Sequence, residues 1–412
     1  MIAALDVGTS KVVLLVGEID TYNDINIIAI GETQSKGIER GFVKRLDLAV
    51  NSVSLVRKDV QEMLSSKVSS VCLALSGPDL KSQNERDTIS LSPQPTEVDR
   101  IHIERLIERA ITRSREEGYE VVAQIPRKFT LDDQEGIIDP VGLYGSRLSV
   151  ELHVVKLSST IIRNLEKVLQ SAGLGLVDRY VSILASAEAV LTQEEKEEGV
   201  LLIDMGAGLT DFTLFLEGAP YITASIPMGG LNITKDIAHF LKVTTEQAER
   251  IKIEYGCALY DMVSETERIK IKPRGEEKET TIERRQLAEV IQIRLEEIME
   301  RLTDIITSRG ASLEAANAGI VITGGCAKLY GIKEFLERHF DMPVRIGYPY
   351  GVVGLKEKIS DPAYATAVGL LKVCHKNPSG LLSSGEVKMD VPRNSLLGSI
   401  LEKIKSFLKD VI

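Results

Sequence analysis

The 412-residue sequence contains no tryptophan and only four cysteines and five histidines. The cysteines lie far apart along the chain and show none of the short spacings that are typical of metal-binding cysteines. We therefore predict no metal site built on them. The simplest interpretation is that they are thiols in a reducing cytosol.

Long apolar runs and an excess of positive charge are also missing. No run reaches the roughly 18 apolar residues that a membrane-spanning helix needs. The first residues show no basic stretch followed by an apolar core, so we expect no signal peptide. The 50 basic and 60 acidic side chains give a net charge of −10, which argues against a basic nucleic-acid-binding body. The 43% of hydrophobic residues is ordinary for a globular protein, and the length predicts about two or three domains.

Short apolar runs alternate with longer amphipathic stretches. Residues 2–5, 12–16 and 71–75 predict strands, whereas residues 48–63 and 287–306 predict helices. This mixture predicts an α/β architecture.

Residues 82–160 differ in character, and we interpret them as an inserted module. Inside it we predict a helix at 101–117, a strand at 121–125 that ends at Pro126, and an exposed strand at 147–156. The acidic residues 194–198 predict a solvated turn outside the module.

Two segments share one pattern, an apolar strand followed by Asp-x-Gly and small residues, several of them hydroxylated. Glycines let backbone N–H groups approach phosphate oxygens, and the hydroxyls and a lysine add donors. The predicted phosphate-binding residues are Gly8, Thr9, Ser10 and Lys11 in the first segment and Gly206, Ala207, Gly208 and Thr210 in the second. Asp6 and Asp204 would repel phosphate unless Mg²⁺ lies between these carboxylates and the phosphate groups, bound mainly through water. We therefore predict a metal–nucleotide complex.

A third loop follows the apolar residues 319–323. It contains Gly324 and Gly325, where backbone could pass close to a flat base. With this loop the sequence resembles the actin-like ATPase superfamily, and the three loops resemble its phosphate-1, phosphate-2 and adenosine motifs. The resemblance implies duplicated ribonuclease H-like cores that bind ATP and Mg²⁺.

The resemblance also assigns roles to three charged residues. Glu249 and Lys252 resemble the superfamily's Glu-x-x-Lys, which contacts ribose and adenine, and Lys328 matches a position that covers the adenine. An exposed ion pair on a helix is the alternative for Glu249 and Lys252. Residues 185–189 and 363–369 resemble the two connecting helices, and their small side chains suit a close crossing at a hinge.

Residues 122–143 resemble subdomain 1C of the FtsA family of bacterial cell-division actins. Residues 35–41 and 254–258 resemble other parts of the same family's sequence. The resemblance implies the following boundaries: subdomain 1A at 1–81, 161–192 and 355–375; 1C at 82–160; 2A at 193–230 and 305–354; 2B at 231–304; a linker at 376–394; and an amphipathic helix at 395–412.

Family resemblance also implies function. We expect a protein that polymerises on the cytoplasmic face of the cell membrane and anchors the C-terminal peptide of the tubulin-like FtsZ through 2B, assembling the Z ring at the division site. Other division proteins would bind through 1C, and we expect no nucleic-acid partner.

Two features bear on hydrolysis. Leu209 removes a hydroxyl that the superfamily more often has, so we expect weak or no ATP turnover. Glu188 lies where relatives place a residue that orients water. It is interpreted either as a catalytic carboxylate acting with Asp204 or as an exposed helix glutamate.

The last 18 residues have one apolar stripe with the period of a helix. We predict that this stripe inserts into an anionic membrane surface, with lysines near the headgroups. Its residues are Leu396, Leu397, Ile400, Leu401, Ile404, Phe407, Leu408 and Val411. A helix docked on the protein's own core is the alternative.

Two other classes of protein share the fold. One is a kinase or chaperone ATPase, for which the sequence shows no substrate domain. The other is a pilus-assembly scaffold of the PilM type, against which the linker and amphipathic tail argue.

Overall fold

The computed structural model describes residues 1–275 and 278–376. In the first part of the chain the elements are β1 (Ile2–Val7), β2 (Lys11–Ile19), β3 (Ile25–Gln34), β4 (Ile38–Glu39), β5 (Phe42–Val43), α1 (Leu46–Leu64) and β6 (Ser70–Leu75). The insert follows with β7 (Lys81–Ser90), β8 (Thr96–Glu97), α2 (Arg100–Ser114), β9 (Tyr119–Leu131), β10 (Gln134–Ile137), β11 (Tyr144–Gly145) and β12 (Arg147–Ser158).

After the insert come α3 (Ser159–Ser171), β13 (Gly175–Val181) and α4 (Ser182–Val190). The next part contains α5 (Gln193–Glu198), β14 (Val200–Met205), β15 (Thr210–Leu216), β16 (Ala219–Ile226), α6 (Gly230–Leu241), α7 (Thr245–Tyr255), β17 (Arg268–Ile271), β18 (Thr280–Glu283), α8 (Arg284–Ser308), β19 (Ile320–Thr323), α9 (Ile332–Phe340) and β20 (Val344–Ile346). The described chain closes with β21 (Val353–Gly354), α10 (Lys356–Ile359) and α11 (Ala365–Lys376).

Two lobes are built on similar sheets. Lobe 1 has the strand order β13-β6-β1-β2-β3-β21, and lobe 2 has β16-β15-β14-β19-β20. In each lobe an Asp-x-Gly segment joins two antiparallel strands, β1 to β2 or β14 to β15, and a parallel strand lies on the other side, β6 or β19. This repetition matches the duplicated cores that the resemblance implies, and the predicted α/β fold is confirmed.

The central strands are apolar on both faces because helices or neighbouring elements cover them. Val12, Val13, Leu14 and Leu15 of β2 are fully buried, as are Leu201, Leu202 and Ile203 of β14. Both sheets are therefore packed in apolar cores, one of which extends from lobe 1 onto one face of the lobe 2 sheet, and the loops at the strand ends are held on rigid supports.

The insert has a separate core under a four-stranded sheet of order β10-β9-β12-β7, on which α2 packs. The prediction that Pro126 ends its strand is wrong, because β9 continues through it to Leu131. The register of β9 against β12 shifts between Glu151 and Leu152, where Pro126 pairs with Leu152. A proline is tolerated in a strand at such an irregularity.

The two connecting helices cross closely, as predicted. A Cβ atom built on Gly369 of α11 would lie 1.7 Å from the carbonyl oxygen of Ala185 in α4. Only glycine allows this approach, so any larger residue would push the two helices apart.

Two other predictions are wrong. The acidic residues 194–198 form helix α5 rather than a turn, because Thr192 and Glu195 form a capping box at its start. Cys72 and Cys374 form a disulfide across 302 residues of sequence, whereas we interpreted all four cysteines as thiols. Among the described residues no helix is both long and apolar enough to cross a membrane. The predicted linker after residue 376 and the amphipathic helix at 395–412 lie outside the described residues.

Candidate functional site

A cleft of about 1030 Å³ lies between the lobes, and the three glycine-containing loops line it. All but one of the residues predicted to hold the nucleotide or its metal are at its walls. The predicted residues that line it are Asp6, Gly8, Thr9, Ser10, Lys11, Asp204, Gly206, Ala207, Gly208, Glu249, Lys252, Gly324, Gly325 and Lys328. Residues that are distant in sequence are therefore brought to one site.

The two Asp-x-Gly turns have the same backbone geometry. The N–H of Gly8 donates to the carbonyl of Lys11 at 3.0 Å, and the N–H of Gly206 donates to the carbonyl of Leu209 at 2.9 Å. The turns also approach each other, because a Cβ built on Gly208 would lie 2.5 Å from the Thr9 hydroxyl oxygen. A ligand in the cleft therefore meets both turns at once.

The adenosine-type loop also needs glycine. Gly324 has a φ of +84°, and a Cβ there would lie 2.4 Å from a carboxylate oxygen of Asp204. The conformation and the close approach both exclude larger residues. The third loop is thereby packed directly against the second.

Three carboxylates lie around the two turns, with Asp211 buried and Asp6 and Asp204 partly buried. Burial and the neighbouring Asp204 raise the pKa of Asp6 to about 6. Burial raises the pKa of Asp204, whose Oδ2 accepts hydrogen bonds from Ser186 at 2.7 Å and Thr366 at 3.2 Å. Burial also raises the pKa of Asp211 to about 7. Each carboxylate would gain from a cation in the cleft, since a nearby positive charge favours its ionised form.

Among the described residues no group of three or more His, Cys, Asp or Glu side chains is arranged to bind a metal ion directly. Water-bridged binding by Asp6 and Asp204 is compatible with this arrangement. Oxygen ligands with several retained waters are typical of Mg²⁺ sites, so the donor set fits the expected ion.

Glu249 and Lys252 do not form the exposed surface pair of the alternative interpretation. Lys252 keeps only 13% of its side-chain exposure and lies 2.8 Å from Glu249. Its ammonium also donates to the Gly230 carbonyl at 3.1 Å and to the Thr234 hydroxyl at 2.9 Å. The pair is therefore fixed at the wall of the cleft on lobe 2.

Lys11 and Lys328 are the lysines nearest the first and third loops. The Lys11 ammonium lies 3.4 Å from the centroid of the Tyr364 ring. Lys328 forms an ion pair with Asp361 at 2.5 Å and is more than half exposed. Both ammonium groups are thus held at the rim by neighbours that also line the cleft.

Two predicted residues are elsewhere. Thr210 is fully buried and donates to the carbonyl of Met228 at 2.9 Å, so its hydroxyl does not reach the cleft. It is the first residue of β15 and points into the core of lobe 2.

Glu188 does not line the cleft either, and it is not the exposed helix glutamate of the alternative interpretation. Its carboxylate pairs with Lys196 and, at 2.9 Å, with Lys376, and its side chain is 23% exposed. Burial alone would raise the pKa of Glu188, but the two lysines outweigh it and lower the pKa to about 2. This carboxylate ties α11 to α4 and α5.

Sequence reasoning missed three cleft residues that carry chemistry. Asp211 accepts a hydrogen bond from Ser76 of lobe 1 at 2.8 Å, which joins the two lobes. Tyr364 supports Lys11, as described above. Asp211 could have been found from the sequence, because it is the second acidic residue of the second Asp-x-Gly segment. Ser76 and Tyr364 show no local pattern.

Comparison with known proteins agrees with this geometry. A family model described as cell division protein FtsA matches residues 201–369, and a model of the SHS2 domain inserted in FtsA matches residues 77–156. The cell division protein FtsA of Pseudomonas aeruginosa is 35% identical over 413 aligned residues, which cover 99% of this chain and 97% of the relative. The chain belongs to the FtsA family.

The solved structures that are similar show the same fold. The PilM–PilN type IV pilus biogenesis complex contains a chain with a TM-score of 0.63 at 16% identity, covering 90% of this chain and 98% of that one. MreB5 of Spiroplasma citri bound to ADP has a TM-score of 0.54 at 15% identity, covering 92% and 97%. At these identities the likeness supports the actin-like fold only.

Membership of the FtsA family confirms the recognition made from the 1C-like segment. The protein is thus an actin-like cell division protein whose fold is that of nucleotide-binding ATPases. The matched SHS2 segment, residues 77–156, corresponds to β7–β12 with a few preceding residues. Family membership decides against the PilM-type scaffold and the kinase or chaperone.

Proposed function

We propose that this protein binds ATP with Mg²⁺ in the interlobe cleft and, in that state, polymerises on the membrane and anchors FtsZ. The observation that carries the proposal is the meeting of both Asp-x-Gly turns and the Gly324–Gly325 loop at one cleft in a chain of the FtsA family. The backbone N–H groups of the turns would bind phosphate, and the ribose and base would lie towards Glu249 and Lys252.

In this proposal Asp6 and Asp204 hold Mg²⁺ mainly through water, and the ion supplies countercharge to the phosphates. The Asp204 carboxylate is oriented by hydroxyls from α4 and α11, the two connecting helices. Binding of Mg–ATP would therefore be coupled to the packing of these two helices at the hinge. Turnover is weak or absent, because Glu188 faces away from the cleft and Leu209 brings no hydroxyl to it.

Polymerisation and partner binding would use surfaces outside the cleft. On α6 and α8, which correspond to 2B, apolar side chains are exposed, including Phe240 at 42% and Ile293 at 67%. On the insert, Ile101 and Tyr144 are similarly exposed. In an interface these side chains would be removed from water, which favours association. We assign 2B to the FtsZ C-terminal peptide and 1C to other division proteins.

Membrane attachment would depend on residues 395–412, which lie outside the described residues. Their apolar stripe and three lysines fit an anionic membrane surface at the cytoplasmic side of the division site. One such segment binds weakly and reversibly, and a polymer presents many of them on one surface. ATP, polymer and membrane would thus be linked.

The test is recruitment of fluorescent FtsZ from the same organism to anionic vesicles by the full chain with Mg–ATP. We expect recruitment by the full chain and none by a chain ending at Asn394 or by the full-length Phe407→Glu variant. The point variant is the matched control, because it keeps the linker and the length. Equal pelleting of all three proteins with vesicles would refute the membrane assignment, and pelleting without FtsZ recruitment would refute the anchoring role.

A further inference from the structure

The ammonium of Lys11 is enclosed by two side chains that the proposed nucleotide site does not otherwise use. The ring of Tyr364 lies under it, with 3.4 Å between the nitrogen and the ring centroid. The Glu32 carboxylate lies 3.9 Å away. Lys11 is the first residue of β2 and directly follows the first phosphate turn. The cation that the first turn offers is therefore held in one place before any ligand arrives.

Tyr364 and Glu32 also bind each other. The Tyr364 hydroxyl donates a hydrogen bond to Glu32 Oε2, and burial together with this contact raises the pKa of the tyrosine. All three side chains line the cleft. Glu32 comes from β3, Lys11 from β2, and Tyr364 from the turn before α11, so lobe 1 supplies the whole cluster.

The position of Tyr364 is itself fixed. Its N–H donates to the carbonyl of Asp361 at 2.9 Å, and the Asp361 carboxylate caps the same turn through the N–H of Ala363. Pro362 between them is buried. The ring is thus a rigid platform at the start of the second connecting helix.

This arrangement bears on a general property of lysine. The side chain is long and flexible, and it loses entropy when it must be fixed on a ligand. A ring face attracts an ammonium without neutralising it, whereas a carboxylate competes with phosphate for it. Tyr364 contacts the ammonium and also binds the carboxylate. The lysine therefore remains available to phosphate.

We propose that Tyr364 is a positioning residue that orients Lys11 towards the terminal phosphate and so makes the cleft prefer ATP over ADP. The proposal rests on the proposed nucleotide binding and adds to it the residue that sets phosphate-number selectivity. The Glu32 carboxylate has the opposite effect, because it competes with the ligand for the Lys11 ammonium. Through this cluster, lobe 1 distinguishes ATP from ADP by its third phosphate.

The test is calorimetric titration of the full chain with adenosine, ADP and ATP in the presence of Mg²⁺. For Tyr364→Ala we expect the ATP-over-ADP preference to fall about three- to tenfold, the range of one cation–π contact. Tyr364→Phe keeps the ring, so the ATP-over-ADP preference of this variant should fall less. Glu32→Gln should raise the preference, and adenosine affinity should stay within about twofold for all variants.

Tyr350 is the matched control. It carries Lys372 over its ring at 4.4 Å, but it does not line the cleft. Tyr350→Ala should leave the ATP-over-ADP ratio unchanged. A general packing defect would weaken all three ligands equally, whereas the proposed role changes only the ratio.

A double-mutant cycle completes the test. If Tyr364 acts through Lys11, the Lys11→Met and Tyr364→Ala changes are not additive, and the double variant has the ratio of Lys11→Met alone. An unchanged ratio in Tyr364→Ala, or full additivity, would overturn the inference while leaving ATP binding intact. Absence of ATP binding by the unaltered chain would instead overturn the proposed function, and this inference with it.

Discussion

The first and second Asp-x-Gly hairpins have one geometry and different chemistry. Matching the turn hydrogen bonds aligns Gly8 with Gly206 and Lys11 with Leu209. One residue on, Val12 and Thr210 are both fully buried. In the next pair, Val13 of the first hairpin stands where the second has Asp211.

The comparison explains why Thr210 is absent from the cleft. In a strand, alternate side chains point to opposite faces, and the position that Thr210 shares with Val12 points into the core. It also shows a division of charge, because lobe 1 contributes a lysine where lobe 2 has leucine, and lobe 2 adds a second carboxylate where lobe 1 has valine. In the proposed function, the duplicated fold would therefore offer phosphate two supports, one cationic and one able to favour a metal ion.

Making the second hairpin like the first should have its largest effect on the pH dependence of stability. The raised pKa of Asp211, about 7, means that the folded chain keeps a proton that the unfolded chain releases from about pH 4 upward. The free energy of unfolding should therefore fall as the pH rises from about 4 to 7, by on the order of a few kcal/mol.

Urea denaturation at pH 5 and pH 8 measures this slope. Asp211→Val, the counterpart residue, and the isosteric Asp211→Asn should both flatten it. Asp6→Asn should remove a smaller part, since the Asp6 pKa is raised only to about 6. A slope that is the same in all four proteins would contradict the assignment of buried protons to these carboxylates.

The next effect tests whether the two aspartates that the hairpins share are equivalent. Asp204→Ala and Asp6→Ala should each weaken Mg–ATP binding by about 10- to 100-fold, because each removes an oxygen donor around the ion. Calorimetry with and without EDTA measures the loss.

Asp87→Asn is a suitable control, since Asp87 is a buried aspartate of the insert that pairs with Arg109 far from the cleft. Unchanged Mg–ATP affinity in Asp204→Ala would argue against the phosphate site. A loss confined to one of the two aspartates would show that only one hairpin serves the metal.

The smallest effect concerns the hydroxyls of the two turns. Thr210→Val makes the residue match Val12 and should leave ATP affinity within about twofold while costing about 1 kcal/mol of stability for the lost bond to Met228.

Thr9→Val, the matched change at the cleft wall, should weaken ATP binding several-fold, because Thr9 lines the cleft. Thermal unfolding and nucleotide titration of both variants provide the measurements. Equal losses of affinity would mean that Thr210 reaches the ligand in solution.

Most of the site could be predicted because its residues lie in short local motifs. The Asp-x-Gly turns and the Gly-Gly loop each follow an apolar strand, and strand ends place side chains at one edge of a sheet. Glu188 and Thr210 could not be placed this way. Glu188 lies in a helix of small residues, and only the approach of Lys196 and Lys376 determines which way its carboxylate points.

The sequence by itself determined the α/β class, the duplicated loops and the recognition of the insert, because these depend on local periodicity and short motifs. The tertiary structure decided which side chains meet: Tyr364 under Lys11, Ser76 on Asp211, and Cys72 beside Cys374. These pairs join residues hundreds of positions apart or lie on opposite lobes. No local pattern encodes such contacts. The first and third pairs form only when the end of the described chain returns to lobe 1, and Ser76 meets Asp211 only when the two lobes come together around the cleft.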